Sequence, residues 1–285
     1  MRLSPAVDEA DVVERTLFVW PEIPGLVRHL RIPGVIGRIA GVDHTRINAV
    51  GLARLDAREA DATIEAVERV YAGAGVRGAW LIGPTSTPAD LGRRLSARGS
   101  LRRGELSGLV LDDLAPAADA KDPVRVREVP AVEAPAFAGL VARGLGLPAD
   151  VADVFVRASV RPRSRTHLFV AAVEEDTVPV AFGFLELVGD PPLALLGGGG
   201  TLSEHRGRGA YRALVRARIA VARAQGASVV VVQAHPTTSA PILHRLGFRE
   251  VCRIAVHFQE EDRPRTLAGE RAQRGSAERA FDSAG

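Results

Sequence analysis

Residues 201–214 read Thr201-Leu202-Ser203-Glu204-His205-Arg206-Gly207-Arg208-Gly209-Ala210-Tyr211-Arg212-Ala213-Leu214. The pattern joins a strand to a helix through a turn with two glycines and flanking arginines. Such a turn aims several backbone amides at one point, and the helix adds partial positive charge there. A diphosphate suits that point. Gly207 and Gly209 let the backbone approach a ligand with no Cβ in the way. Arg206 adds a permanent charge at the mouth. The amides from Gly207 to Tyr211 are the expected donors, at roughly 1.5–3 kcal/mol for each charge-assisted bond.

Working outward, the spacing predicts a helix over 208–225 whose stripe Ala210, Leu214, Ala217, Val221 and Ala224 faces a sheet. Arg212, Arg216 and Arg223 lie off that stripe, either as a solvated face or with one of them on a phosphate. An apolar strand at 229–232 follows, then Pro236-Thr237-Thr238-Ser239, a short helix, Leu246-Gly247-Phe248 and a final strand. Upstream, strands are expected at 168–173, 178–188 and 193–196, preceded by helices near 131–143 and 149–159. Pro148 and Asp150 suit the start of the second helix. Gly197-Gly198-Gly199-Gly200 is unusual inside a strand. It marks a bulge or the close approach of another backbone, or else a flexible hairpin.

Arg206-Gly207-Arg208-Gly209-Ala210-Tyr211 resembles the Arg/Gln-x-x-Gly-x-Gly/Ala signature of the GNAT acyltransferase superfamily. Leu246-Gly247-Phe248 is similar to that family's closing element, and the order of elements over 166–259 fits. Two positions depart from the pattern. Tyr211 stands where the family has Gly or Ala, and Leu243 stands where it often has a tyrosine acid. The resemblance implies acetyl-CoA or another acyl-CoA as cosubstrate. It also implies a cofactor-binding set of Thr201, Leu202, Arg206, Gly207, Arg208, Gly209, Ala210, Tyr211 and Ser239. Leu202 and its strand would offer backbone groups to the pantetheine arm.

The 115–123 stretch, Ala-Pro-Ala-Ala-Asp-Ala-Lys-Asp-Pro, reads as a linker. It divides the chain into 1–115, a linker at 116–123, a second half at 124–262, and an aperiodic tail at 263–285. The halves share a plan. In the first, Ile64, Val67 and Tyr71 mark a helical face. Ala79-Trp80-Leu81-Ile82 follows, then Pro84-Thr85-Ser86-Thr87, a short helix with Leu91 and Leu95, Gly99, and a strand through Leu109-Val110-Leu111. The expected fold is a mixed-sheet α/β (α+β) class: two tandem GNAT-like domains, each a twisted, mostly antiparallel sheet flanked by helices. The first copy has Leu55-Asp56-Ala57-Arg58-Glu59-Ala60-Asp61 where the second has its glycine turn. Carboxylates there serve the helix start and repel a diphosphate, so the first copy is expected to have lost acyl-CoA binding. It would remain as a structural partner or a wall of the acceptor site.

Composition bounds the function. The 285 residues are 46% hydrophobic and 25% charged, with a net charge of +3, which is ordinary for a protein with a sizeable core. Lys121 is the only lysine, the arginines are scattered, and so small a charge gives little attraction for nucleic acid. No apolar run reaches membrane-span length, and no secretory apolar core opens the sequence. Cys252 is the only cysteine, and its apolar setting with Ile254, Val256 and Phe258 predicts a buried role. A cytoplasmic monomer or homodimer that binds neither nucleic acid nor membrane is expected. No His, Cys or Asp group has metal-ligand spacing.

The reaction expected is attack of an amine on a thioester. It needs a base for the ammonium, donors for the oxyanion and a proton for the leaving thiolate. His235, Glu186 and Glu204 are the candidate bases, and His244 neighbours the missing tyrosine position. Thr238 and Ser239 sit where a polar contact to the cofactor or a helix cap is expected. An N-acyltransferase acting on a small-molecule amine is the leading reading. A catalytically weak acyl-CoA sensor is the alternative. A module for another nucleotide lacks its Gly-x-x-x-x-Gly-Lys-Ser/Thr or dinucleotide fingerprint.

Overall fold

The computed structural model describes residues 8–114, 124–161, 164–173 and 178–259. The expected linker at 116–123 and tail at 263–285 lie outside the described residues. Helix α1 (Glu9–Arg15) is capped by Asp8, whose carboxylate accepts from the amides of Ala10 (3.0 Å) and Asp11 (3.4 Å), a device worth about 1 kcal/mol. A 3-10 turn at Thr16–Phe18 leads into β1 (Val27–His29), β2 (Ile36–Ala40), β3 (Ala49–Gly51), α2 (Ala60–Gly73), β4 (Ala79–Ile82), α3 (Leu91–Ala97) and β5 (Leu101–Leu111). The C-terminal half runs β6 (Val124–Val129), α4 (Ala138–Leu145), α5 (Ala149–Ser159), β7 (Thr166–Val173), β8 (Ala181–Val188) and β9 (Leu193–Thr201). It finishes with α6 (Ala210–Ala224), β10 (Val230–Ala234), α7 (Ala240–Arg245) and β11 (Arg249–Phe258).

The mixed α/β architecture and its flanking helices are those expected. Among the described residues eleven strands share one sheet, ordered β1-β2-β3-β4-β11-β5-β10-β9-β8-β7-β6. Of these strand pairs, β3–β4 and β9–β10 are parallel and the rest antiparallel. A parallel pair needs a crossover, and α2 and α6 supply it at corresponding places in the two halves. The halves join by exchanging their last strands. β5 pairs with β10, β11 pairs with β4, and β5 and β11 lie side by side at the centre. Each long strand thereby covers a sheet edge that the other half would leave open.

Alternation along β7 sends Leu168 and Val170 to one face and Phe169, Ala171 and Val173 to the other. Helices α4 and α5 cover the first face, and α6 and α7 cover the second. The predicted stripe of α6 needs correction. Ala210, Ala213, Leu214, Val215, Arg218 and Ala222 are buried, whereas Ala224 is exposed. An apolar stripe excludes arginine, so the sequence does not reveal that Arg218 is buried. It is 1% exposed and donates through Nη1 to Phe184 O (3.0 Å) and through Nε to Leu214 O (3.1 Å).

Candidate functional site

Strand β9 ends at Thr201, and a 3-10 turn at Ser203–His205 leads into the glycine turn. Gly207 and Gly209 both have positive φ, +79° and +85°, a region costly for residues with a Cβ. The amides of His205 and Arg206 donate to Leu202 O and Ser203 O. Among the described residues, the amides from Gly207 to Tyr211 have no backbone acceptor. The ladder resumes with Ala213 donating to Gly209 O at 3.0 Å. No side chain caps α6, and the space beside Gly207 is open. Successive uncapped amides at a glycine turn are an arrangement that suits an anion.

The charge around the turn is mostly positive. Arg206 and Arg208 are exposed, Arg206 Nε reaches Thr201 O at 3.5 Å, and Arg208 Nη1 lies 3.3 Å from His205 Nδ1. Arg143, at the end of α4, is close enough to act on Glu204. The Glu204 carboxylate is exposed and held below the usual range, first by its own backbone amide and then by the Ser203 hydroxyl.

Beside this turn the sheet splits. β9 and β10 pair only at Ala194↔Val230 and Leu195↔Val231. Beyond that, 196–201 of β9 has no strand partner on this side among the described residues. The ladder with β8 slips between Phe182 and Phe184, so Gly197-Gly198-Gly199-Gly200 is a bulge and not a flexible hairpin. It permits close approaches on both faces. A Cβ on Gly200 would lie 2.9 Å from Gly144 O of α4, and one on Gly199 would lie 3.2 Å from the Tyr211 ring. The Tyr211 phenol lies close enough to Arg218 and Ser239 for both to act on it. Burial pushes it above its ordinary range, and those two contacts pull it partly back. Leu202 is 5% exposed and already commits its amide to Val180 O and its carbonyl to His205 N.

The corresponding gap in the N-terminal half is shut. Past the Gly51↔Leu81 pair, Thr87 ties the continuations of β3 and β4 together: its amide donates to Ala53 O at 2.9 Å, and the Leu55 amide donates to Thr87 Oγ1 at 3.1 Å. The buried Glu14 carboxylate accepts from the Thr85 amide at 3.0 Å. At the start of α2, Asp56 Oδ1 accepts from Arg58 N at 2.7 Å, while Glu59 caps nothing.

The three candidate bases do not converge. His235 is exposed, and its Nδ1 serves Thr237 within its own turn (3.2 Å to Oγ1). Its amide donates to Ser239 Oγ at 2.9 Å, so Ser239 both braces that turn and meets Tyr211. His244 is tied to Phe248 O at 3.0 Å. Leu243 is wholly buried, so the helix puts core packing where the resemblance places an acid. Glu186 lines a cavity of about 130 Å³ with Gly197, Gly198, Trp20, Phe155 and Phe184. Burial pushes its carboxyl above the ordinary range, against the opposing pull of Arg161. Thr166 stands opposite it on β7, and its hydroxyl lacks a partner among the described residues. Trp20 and Phe155 were missed, because nothing in the spacing shows that the 3-10 turn region meets α5. A larger hollow of about 480 Å³ around Pro24, Leu26 and Ile39 shares no residue with the glycine turn. Among the described residues there is no cluster of three or more His, Cys, Asp or Glu suited to a metal, and no helix is long and apolar enough to cross a membrane.

A split parallel pair, a bulged strand and an uncapped glycine turn at a helix start meet at one place in the C-terminal half. Residues 147–248 match the family model of the acetyltransferase (GNAT) family. Its fold is that of a GCN5-related N-acetyltransferase from Kribbella flavida (17% identity, 89% of this chain and 96% of that one, TM-score 0.65). Another from Sphaerobacter thermophilus aligns at 17% identity over 89% and 86% of the two chains, with TM-score 0.61. A tandem GNAT protein from the clavulanic acid biosynthesis pathway aligns at 16% identity over 87% of each chain, with TM-score 0.57. No curated protein matches the chain in sequence. The GNAT acetyltransferase fold supports acyl-CoA-dependent acyl transfer in general terms.

Proposed function

We propose that the protein is an N-acyltransferase that uses acetyl-CoA and transfers the acyl group directly to the amine of a small molecule. The observation that carries this reading is the row of amides from Gly207 to Tyr211 without backbone acceptors, beside the unpaired edge of β9. Those amides and Arg206 hold the diphosphate. From Leu202 back to Gly198 the strand covers about 13 Å at ~3.3 Å per residue. The pantetheine arm lies along that edge, with the thioester at the bulge.

Glu186 is the preferred base, since it alone of the three candidates lines a cavity with the bulge. The amine gives its proton to Glu186, directly or through water. The neutral nitrogen then bonds to the carbonyl carbon, the C–S bond breaks, and the proton that the now cationic nitrogen sheds passes to the leaving thiolate, giving amide and thiol. His235 and Glu204, both exposed, keep local roles. The chain divides functionally at 116–123, with 124–262 binding the cofactor and 1–115 a GNAT-like copy that has lost it. The shut gap at Thr87 favours that reading. The enzyme works in the cytoplasm as a monomer or homodimer.

The buried Leu243 favours a second reading, a weakly catalytic acyl-CoA sensor. Calorimetry with acetyl-CoA and thiol release across an amine library separate the two. Binding with turnover above about 0.1 s⁻¹ for some amine supports the enzyme, since enzymes run at ~1–1,000 s⁻¹. Binding without turnover supports the sensor. Equal acetyl-CoA affinity in wild type and an Arg206→Ala, Gly209→Asp variant rejects both.

A further inference from the structure

Trp20, Phe155 and Phe184 meet edge to face across the joint of the two halves, with ring centroids 5.4 and 5.5 Å apart. Trp20 comes from the N-terminal half, Phe155 from α5 and Phe184 from β8. All three wall the cavity of about 130 Å³ that reaches Gly197 and Gly198 of the bulge. Two ionisable side chains line it, Glu186 and Arg38.

These two charges differ in what they leave for a ligand. Arg38 donates to the backbone carbonyls of Leu17 (2.5 Å), Ile47 (2.9 Å) and Arg46 (3.4 Å). Its guanidinium centre also lies 4.8 Å from the Trp20 ring. The Glu186 carboxylate has no hydrogen-bond partner among the described residues, and Arg161 acts on it only through space. A desolvated carboxylate without a partner favours a cationic ligand, and aromatic faces attract the same charge. An apolar cavity near 150 Å³ holds a benzene ring, so this one of about 130 Å³ admits an apolar body of about six non-hydrogen atoms. The fixed positive charge of Arg38 opposes a second ammonium.

We propose that this interdomain cavity is the acceptor site and that its ligand is a compact monoamine, with the ammonium on Glu186 and an apolar body against Trp20 and Phe184. Its role as acceptor rests on the acyl-transfer reading; binding of the amine does not. The N-terminal half then sets acceptor size, because Trp20 closes the wall opposite the C-terminal half's own aromatics.

The full chain labelled with 5-fluorotryptophan gives two fluorine resonances, for Trp20 and Trp80, assigned with Trp80→Phe. Cyclohexylamine and benzylamine are expected to shift the Trp20 resonance and not that of Trp80, and 1,6-diaminohexane is expected to shift neither. Glu186→Gln is expected to weaken cyclohexylamine at least tenfold while cyclohexanol binds both proteins alike. A Trp20 signal indifferent to both monoamines, or a Gln variant that binds cyclohexylamine as wild type does, overturns the proposal. Parallel calorimetry with acetyl-CoA separates the two ideas. Cofactor binding with a silent Trp20 removes the acceptor site and leaves acyl transfer standing. A responsive Trp20 without cofactor binding does the reverse.

Discussion

The Arg218 guanidinium lies flat over Gly183. A Cβ added there would come within 2.7 Å of Arg218 Cζ, while Nη1 donates to the carbonyl of the next residue, Phe184, at 3.0 Å. The residue on which α6 turns inward thus fills the floor of the β8–β9 bulge, and burial drives its pKa down. Arg218→Ala is expected to cost about 3 kcal/mol, as a core cavity plus an unpaired carbonyl. Arg218→Met keeps the volume and sheds a buried charge, so it stays within about 1.5 kcal/mol of wild type. Urea denaturation of both variants checks this, and equal losses would show that the charge and not the volume matters.

Glu186 makes stability depend on pH and, in its proposed role, activity as well. Burial raises its folded pKa above the unfolded value, so between the two values the folded state holds more protons. Stability from this group is full below the unfolded pKa and falls as pH rises through the folded one. Glu186→Gln should therefore gain on wild type as pH rises from 4 to 8 in denaturation experiments. The proposed role as base requires an ionised Glu186, so under that proposal kcat/KM in wild type should fall on the acid side at a pH above the ordinary carboxylate range. The variant should lose that limb.

The strand exchange predicts that the C-terminal half does not stand alone. Without β5, both β10 and β11 lose their central partner. A fragment of residues 124–259 should be aggregated or associate by strand swapping in size-exclusion chromatography. Co-expression with residues 1–123 should restore a stoichiometric folded complex. A monodisperse, cooperatively folded monomeric fragment would show the exchange to be dispensable.

Arg249 clasps three segments, donating to Glu9 of α1 (2.6 Å to each oxygen) and to Asp112 after β5 (2.7 Å). The bond to Arg249 holds the Glu9 carboxyl below its usual range. Stability from Glu9 is therefore present above its unfolded pKa and is lost as pH falls through the folded one. Arg249→Ala should cost about 1 kcal/mol at neutral pH, less in high salt, and less still at pH 3, as read from urea midpoints.

Much of this architecture was legible because local rules decide it. Gly207 and Gly209 announce a turn with φ above zero, Ile64, Val67 and Tyr71 announce one helical face, and Pro148 announces the start of α5. The four glycines of β9 fit a bulge or a hairpin equally in sequence, and the slipped register against Phe182 and Phe184 decides between them. What stayed hidden is non-local. Nothing in β5 or β11 states whose neighbour each becomes, since both are long strands able to pair with either half. Arg218 defied its apolar stripe because a glycine 35 residues earlier makes room for it. The lining of the candidate acceptor cavity depends on Trp20 meeting Phe155 across the joint, a contact between segments with no shared periodicity.

The most direct test of the account is the crystal structure of the protein grown with acetyl-CoA. The account predicts diphosphate oxygens within about 2.7–3.1 Å of the amides from Gly207 to Tyr211, with the pantetheine arm along the unpaired edge of β9 and the acetyl group at Gly198. A cofactor seated elsewhere, or a turn that keeps those amides turned away from it, would contradict it.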